Sequence, residues 1–307
     1  MPVAIEKLGR DAIAGKGWFG AHKWLILRRI SQLSILALFM VGPVAGVWIL
    51  KGNLSSSLLA ETVPMTDPLL FLQMIAAGHL GFARDAIIGA ALVLAFYLLV
   101  GGRVYCAWVC PVNIVADAAH WLRRRLAIRG SARIGRDARF WMLGLVLVLA
   151  LVTGTLAFEL VNPVSMLHRG LIFGMGFAWT IILGVFLFDL FVMKHGWCGH
   201  LCPVGAFYGL IGMASLVRVR ADNRAACDDC MECYEVCPEP QVIPPALKGE
   251  HRRGGKAHAA ILSGACTNCA RCIDICPHDV FNFGLRFPAR SAGRRQPLLQ
   301  GTARHGA

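Results

Sequence analysis

A chain of 307 residues that is 56% hydrophobic, with a mean hydropathy of +0.58, is too apolar for an ordinary soluble protein and long enough for two domains. Its net charge of +13 does not argue for nucleic acid, because the basic residues stand beside apolar runs, where they set membrane orientation. All 12 cysteines fall in paired or quadruple motifs, which argues against a secreted disulfide framework and for metal or redox work in a reducing compartment.

Residues 1–29 are polar and basic, with Lys7, Arg10, Lys16, Lys23, Arg28 and Arg29, and read as a cytoplasmic segment. The Arg28-Arg29 pair stands where a twin-arginine signal would. The apolar run after it is too long for a signal h-region, and no small-residue cleavage site follows. Residues 30–50 hold 21 positions without a charge, about 31 Å as a helix and so one hydrocarbon core. Pro43 is expected to kink it. Residues 52–83 carry no Lys or Arg and fit the outer side. They hold turn signals at Gly52-Asn53, Pro64 and Asp67-Pro68, and an apolar stretch, 69–77, suited to the interface.

Further spans are expected over 86–102, 140–158 and 171–193. The loop between the second and third carries Arg103, Arg123, Arg124, Arg125, Arg129, Arg133, Arg136 and Arg139 and is therefore inside. Four spans put both termini in the cytoplasm of a bacterial inner membrane. Asp189, an ionisable group near the inner end of the fourth span, is a functional candidate, with Arg103 or Lys194 as an alternative pairing. The apolar run 206–217 is too short to cross and reads as an interfacial or docking helix.

Two segments repeat one pattern: Tyr105-Cys106-Ala107-Trp108-Val109-Cys110-Pro111-Val112 and Trp197-Cys198-Gly199-His200-Leu201-Cys202-Pro203-Val204. Each is aromatic-C-x3-C-P-V at the inner end of a span, so residues 30–217 read as a membrane domain with a two-span repeat. If the halves pack about a pseudo-two-fold axis, Cys106, Cys110, Cys198 and Cys202 converge. They then ligate a metal or further cluster, act as redox dithiols on a shared helix face, or serve as a structural contact.

Residues 218–288 hold two copies of C-x2-C-x2-C-x3-C-P: Cys227, Cys230, Cys233, Cys237 and Cys266, Cys269, Cys272, Cys276. This is the bacterial run for two [4Fe–4S] clusters, in which the fourth Cys of each run serves the other cluster. The expected sets are Cys227, Cys230, Cys233 and Cys276, and Cys266, Cys269, Cys272 and Cys237. Zinc would be oversupplied by thiols at this spacing. The domain is expected to be an α+β ferredoxin-like cap, and residues 289–307, rich in Arg, Gly and Gln, a disordered tail. Glu61, His79, Glu159 and His168 are all expected near the outer face. There they form a quinol head-group site or are simply interfacial polar residues.

Four spans, paired C-x3-C-P motifs and a double ferredoxin run together resemble the NapH family. The segments Arg28-Arg29-Ile30-Ser31-Gln32-Leu33, 46–57 and 63–68 are similar to that family's first span and outer loop. The resemblance covers residues from about 18 to 287. It implies a ferredoxin-type quinol dehydrogenase subunit that passes electrons through a NapG-like iron–sulfur protein, with a NapC-like cytochrome c, toward periplasmic nitrate reductase. Methylamine-utilisation ferredoxin-type proteins are similar too, as are NosR, whose added periplasmic domain the 52–83 loop is too short to hold, and CcoG, whose added C-terminal β domain the tail is too short to hold. An accessory or maturation factor and a redox sensor are the competing functions. No His pair lies mid-span to carry a haem across the membrane, so the sequence puts carriers at one surface only.

Overall fold

The computed structural model describes residues 8–79, 83–128, 130–132, 134–174, 176–249 and 258–287. The expected tail 289–307 falls outside them, as do Arg129, Arg133 and residues 250–257.

Helix α1, Arg10–Ala45, runs for 36 residues. The expected kink at Pro43 is absent as a break in helical geometry; the break lies at Gly17, with φ 73, a conformation open to glycine. The first half of α1 lies on the cysteine-rich domain: the Gly9 N–H donates to Glu232 Oε2 at 3.1 Å, and Asp274 accepts the backbone N–H groups of Trp24 and Leu25 at 3.1 and 3.0 Å. Over residues 52–79 the segment holds more regular structure than its turn signals predict. It forms an antiparallel sheet of β1 (Leu50–Gly52), β2 (Ser56–Leu59) and β3 (Val63–Thr66), followed by α2 (Pro68–Ala76). Strands of three and four residues are too short to show an alternating pattern. Asp67 caps α2 with Pro68 in the first turn, a favoured pair at that end.

Helix α3 (Ala83–Val100) packs on β3. After the first C-x3-C turn come α4 (Val112–Arg125) and α5 (Ala138–Thr153), then α6 (Pro163–Phe173), α7 (Gly176–Leu187) and α8 (Pro203–Gly212). Among the described residues only α1 is long and apolar enough to cross a membrane by itself; Ala138–Thr153, Gly176–Val192 and Pro203–Gly212 are shorter apolar helices. The expected span 140–158 stops at Gly154, φ 63, and 171–193 is divided at Gly174, φ 64. Left-handed glycines end helices in this way.

Outward faces are nonetheless apolar. Val44 is 80% exposed, Trp141 81%, Val152 76% and Phe177 68%. Apolar side chains this large and this exposed on several helices mark a surface that meets a partner or a membrane. The segments 69–77 and 206–217 each turn one face into the core, and 206–217 docks on the cysteine-rich domain, where Gly264 approaches Gly209. Leu69 on α2 and Tyr208 on α8 are each 1% exposed and share one core with Tyr97, Tyr105, Val146 and Val204.

A second core, with Val219, Ile243, Ile261, Val280 and Phe281, belongs to the C-terminal domain. There β4 (Val217–Arg220) pairs antiparallel with β5 (Asn282–Leu285). Between them lie α9 (Glu232–Val236), α10 (Ile243–Leu247) and α11 (Arg271–Ile275). This is the expected α+β arrangement. The two domains meet closely: a Cβ on Gly264 would overlap the Gly209 carbonyl, and within the helical domain one on Gly102 would overlap the Tyr208 carbonyl.

Candidate redox centre

The two ferredoxin runs fold alike. In each, the second residue after the first Cys has positive φ (Asp229, 58; Asn268, 47), and so does the residue after the second Cys (Met231, 64; Ala270, 59). Asp and Asn tolerate this conformation, and alternating hands turn successive N–H groups inward as an anion-binding nest. A short helix then carries the third Cys, and the fourth returns to extended geometry at Cys237 and Cys276.

Each run wraps a cavity of about 360 Å³. One is lined by Cys227, Cys230, Cys233 and Cys276, with Tyr234, Leu247 and Phe281. The other is lined by Cys237, Cys266, Cys269 and Cys272, with Val242, Ile243 and Ile261. In both, the fourth thiol comes from the other run. Among the described residues no group of three or more Cys, His, Asp or Glu side chains is arranged around a single ion. Four thiols, three from one run and the fourth from the other, are the donor set of a cubane. The chemistry of the residues present fits [4Fe–4S].

The surroundings of the two cavities differ in charge. Cys230 is exposed, and Asp228, Asp229 and Glu232 line the first cavity. Arg271 lines the second, and Arg218, 1% exposed, lies close enough to Cys266 to favour its thiolate.

The C-x3-C motifs also superpose in geometry. Tyr105–Val109 and Trp197–Leu201 each form one π turn, closed by Cys110 N–H to Tyr105 O and Cys202 N–H to Trp197 O, both at 2.9 Å. Cys110 has φ −65 and ψ 118; Cys202 has −66 and 115. The four thiols converge: Cys110 feels the charges of Cys106 and Cys202, and Cys198 those of the other three. Burial raises the pKa of all four, that of Cys202 to about 12. From α1, Gln32 Nε2 donates to Ala107 O at 3.0 Å and Cys110 O at 3.1 Å, and Ser31 Oγ to Trp108 O at 2.9 Å. Asp189 braces the second motif, its Oδ1 accepting Trp197 N–H at 2.9 Å. It does not pair with Arg103 or Lys194, whose partners are Glu239 and Glu235.

The four outer-face candidates are not gathered round one cavity. Glu61 is exposed at the β2–β3 turn, 3.7 Å from Lys51. Exposed His79 meets Gly154 O at 2.9 Å. Buried His168 lies edge-on to Phe39. Glu159 accepts Ser55 Oγ at 3.1 Å and Ser165 Oγ at 2.7 Å.

The chief cavity lies elsewhere. A groove of about 1870 Å³ runs between α1 and α3, from Phe39 to Trp24 on α1, about 22 Å of helix. Ile35, Leu92, Val93, Phe96 and Met65 make its walls. Two polar features interrupt them. At one, Asp67 Oδ1 accepts the Tyr208 hydroxyl at 2.8 Å, with Tyr105 stacked on Tyr208 and Tyr97 edge-on to it. Burial pushes the Asp67 carboxyl up to about 6, the Tyr208 and Leu69 hydrogen bonds pulling it part way back. At the other, Trp108 Nε1 donates to Asn268 O at 3.1 Å, and Asn268 Oδ1 lies 3.6 Å from Cys266 Sγ. The groove therefore ends on the loop of the second four-thiol cavity. Sequence reasoning missed Asp67, which reads as a turn residue, and Tyr208, which sits in an unremarkable apolar run.

Comparison with known proteins finds family models over the segments that hold the cysteine motifs. A 4Fe-4S binding domain family matches twice, over residues 85–129 and 175–221, and a 4Fe-4S dicluster domain family matches residues 226–280. The methylamine utilization ferredoxin-type protein MauN of Paracoccus denitrificans is 56% identical over 239 residues, 78% of this chain and 84% of that protein. The ferredoxin-type protein NapH of Haemophilus influenzae is 50% identical over 250 residues, 81% and 87%. NapH of Escherichia coli is 51% identical over 235 residues, 76% and 82%. No solved structure matches. The chain is thus an iron–sulfur electron-transfer protein, and it belongs to the family of ferredoxin-type proteins that includes NapH and MauN.

Proposed function

We propose that the chain is a membrane-anchored subunit that takes electrons from quinol and hands them, through a partner iron–sulfur protein of the NapG kind, toward periplasmic nitrate reductase. The observation that carries this reading is the groove. It joins a buried carboxyl–phenol pair to the loop of one four-thiol cavity through apolar walls. A quinol is an apolar tail on a ring with two hydroxyls, and this lining complements both parts.

Asp67 is the base we assign to the first proton, with Tyr208 orienting its carboxylate. Glu159 stands behind it. The Asp67 N–H donates to Ser55 O at 2.8 Å, and Ser55 Oγ donates to Glu159 Oε2. These bonds fix the backbone that carries Asp67 and hold the half-buried Glu159 nearby. Trp108 and Asn268 close the other end against the thiols. Bound [4Fe–4S] clusters supply the one-electron steps that a two-electron donor needs. We assign one to Cys237, Cys266, Cys269 and Cys272, and another to Cys227, Cys230, Cys233 and Cys276.

The outward apolar faces of α1, α3, α5 and α7 favour four membrane crossings. Arg103, Arg136 and Arg139 share Glu239 with the cysteine-rich domain. The basic loop and that domain therefore lie at one end, which the positive-inside bias assigns to the cytoplasm. A partner, such as a NapC-like cytochrome c, then carries electrons outward. The convergence of four thiols from two matching motifs favours a further iron–sulfur site at Cys106, Cys110, Cys198 and Cys202 over a reactive dithiol, since thiols with raised pKa are poor nucleophiles.

A second reading concerns destination. Relatives named for methylamine utilization match as well as those named NapH, so an accessory role in the maturation of another periplasmic enzyme fits the same carriers. Anaerobic mixing of the reconstituted protein and its partner with quinol tests the first reading. Reduction seen by EPR supports it. Full iron content with no reduction by quinol refutes it.

A further inference from the structure

A second cavity, of about 1320 Å³, lies between α1, α4 and α11, apart from the groove and beside the two four-thiol cavities, with which it shares only Arg271 and Ile275 as wall residues. Arg28 lines it and is completely buried, yet Nε, Nη1 and Nη2 have no hydrogen-bond partner among the described residues. His120, 4% exposed, also lines it, with both ring nitrogens unpartnered. The charges of Asp117 and Cys269 act on Arg28 from a distance, but no group among the described residues accepts its N–H bonds. A buried guanidinium without acceptors is costly, so the side chain marks a place for an acceptor-rich group.

The balance of charge agrees. Arg29, Arg124 and Arg271 also line the cavity, against the carboxylates of Asp117 and Asp274. Asp117 is already bound to Arg29 and Arg271, and Asp274 to the N–H groups of Trp24 and Leu25. Four guanidinium groups against two engaged carboxylates leave the space cationic. The remaining wall is apolar, with Leu25, Ile114 and Trp121. Arg28 stands two residues before the uncharged run 30–50, at the level where a bilayer's headgroups begin.

We infer that this cavity binds the phosphate of an anionic phospholipid headgroup, with Arg28 as its buried anchor, a neutral His120 as a further donor and Arg124 at the rim. The shared chemistry is a phosphate group, and free phosphate is the competing source. The lipid is favoured because the cavity is far larger than a bare phosphate and half its wall is apolar. Basic pockets between helices on the cytoplasmic side take such headgroups.

The test uses the full-length, cluster-loaded protein, delipidated in detergent, with native mass spectrometry and thermal melting as readouts. Added phosphatidylglycerol is expected to bind and raise the melting temperature, whereas phosphatidylcholine does neither. Arg28→Met should weaken phosphatidylglycerol binding about tenfold or more, the loss expected for one charge-assisted bidentate contact. Should Arg28→Met fail to fold, Arg124→Met at the half-buried rim should weaken the same binding. Stabilisation by inorganic phosphate equal to that by phosphatidylglycerol would overturn the lipid as occupant. Equal binding of the two lipids, or phosphatidylglycerol binding unchanged in both variants, overturns the site.

Discussion

Arg103 and Glu239 form an ion pair at 2.9 Å, each side chain only 2% exposed. Arg103 also donates to Ala265 O and Cys198 O, both at 2.8 Å. One guanidinium thus joins the entry to the first C-x3-C turn, the backbone of the second, and the residues flanking the second four-thiol cavity. Arg139 and Arg136 reach the same carboxylate, each at 3.1 Å.

Arg103→Met leaves Glu239 to Arg139 and Arg136 but removes its most buried partner and the donor to Ala265 O and Cys198 O. It should lower stability by about 3 kcal/mol, the low end for a broken buried pair. Arg136, 40% exposed, should cost under about 1 kcal/mol when changed to Gln. Thermal unfolding of both variants in detergent, with iron content followed in parallel, measures the contrast.

Asp67 should govern quinol oxidation and its pH dependence. Its carboxyl is raised to about 6, so the base form predominates only above that pH, and the rate of cluster reduction by quinol should climb through pH 6. Asp67→Asn should flatten the profile and slow reduction by about 100-fold or more, the scale of a general base. Stability runs the other way. A raised carboxyl pKa means the folded state holds the proton more tightly. The contribution is therefore fully present below the unfolded value near about 4 and is lost as pH rises through about 6. Stopped-flow mixing and melting curves from pH 4 to 8 check both signs.

The exchange of fourth ligands between runs makes a pairing prediction. Cys276→Ser should perturb the same EPR signal as Cys230→Ser, although the two residues belong to different runs. Cys237→Ser should perturb the signal altered by Cys269→Ser. Grouping by run instead would refute the crossed arrangement.

Arg218, with Nε and Nη2 unpartnered and its charge acting on Cys266, favours electron density on the second set of thiols. Arg218→Gln should lower that cluster's reduction potential by about 60 mV, a tenfold change for a one-electron couple, and leave the other cluster's potential in place. A redox titration followed by EPR reads both values.

If the C-x3-C thiols hold an iron–sulfur site, wild-type protein carries iron beyond two cubanes. Cys106→Ser and Cys198→Ser should each return it to the two-cubane amount with both ferredoxin signals intact. Iron that stays constant in both variants refutes a further centre.

The cysteine runs were legible from the chain alone, because ligand spacing in a short loop is a local property. So was the repeat of the C-x3-C motif, and so were the apolar helices, whose hydrophobicity is written residue by residue. Only the tertiary structure decided where those helices end, since Gly154 and Gly174 act through backbone conformation rather than hydropathy. The same holds for Asp67 and Tyr208, 141 positions apart, and for Arg28, which reads as one flanking charge among many. A polar residue's role depends on what buries it and what answers it, and burial is settled by segments distant in sequence packing together.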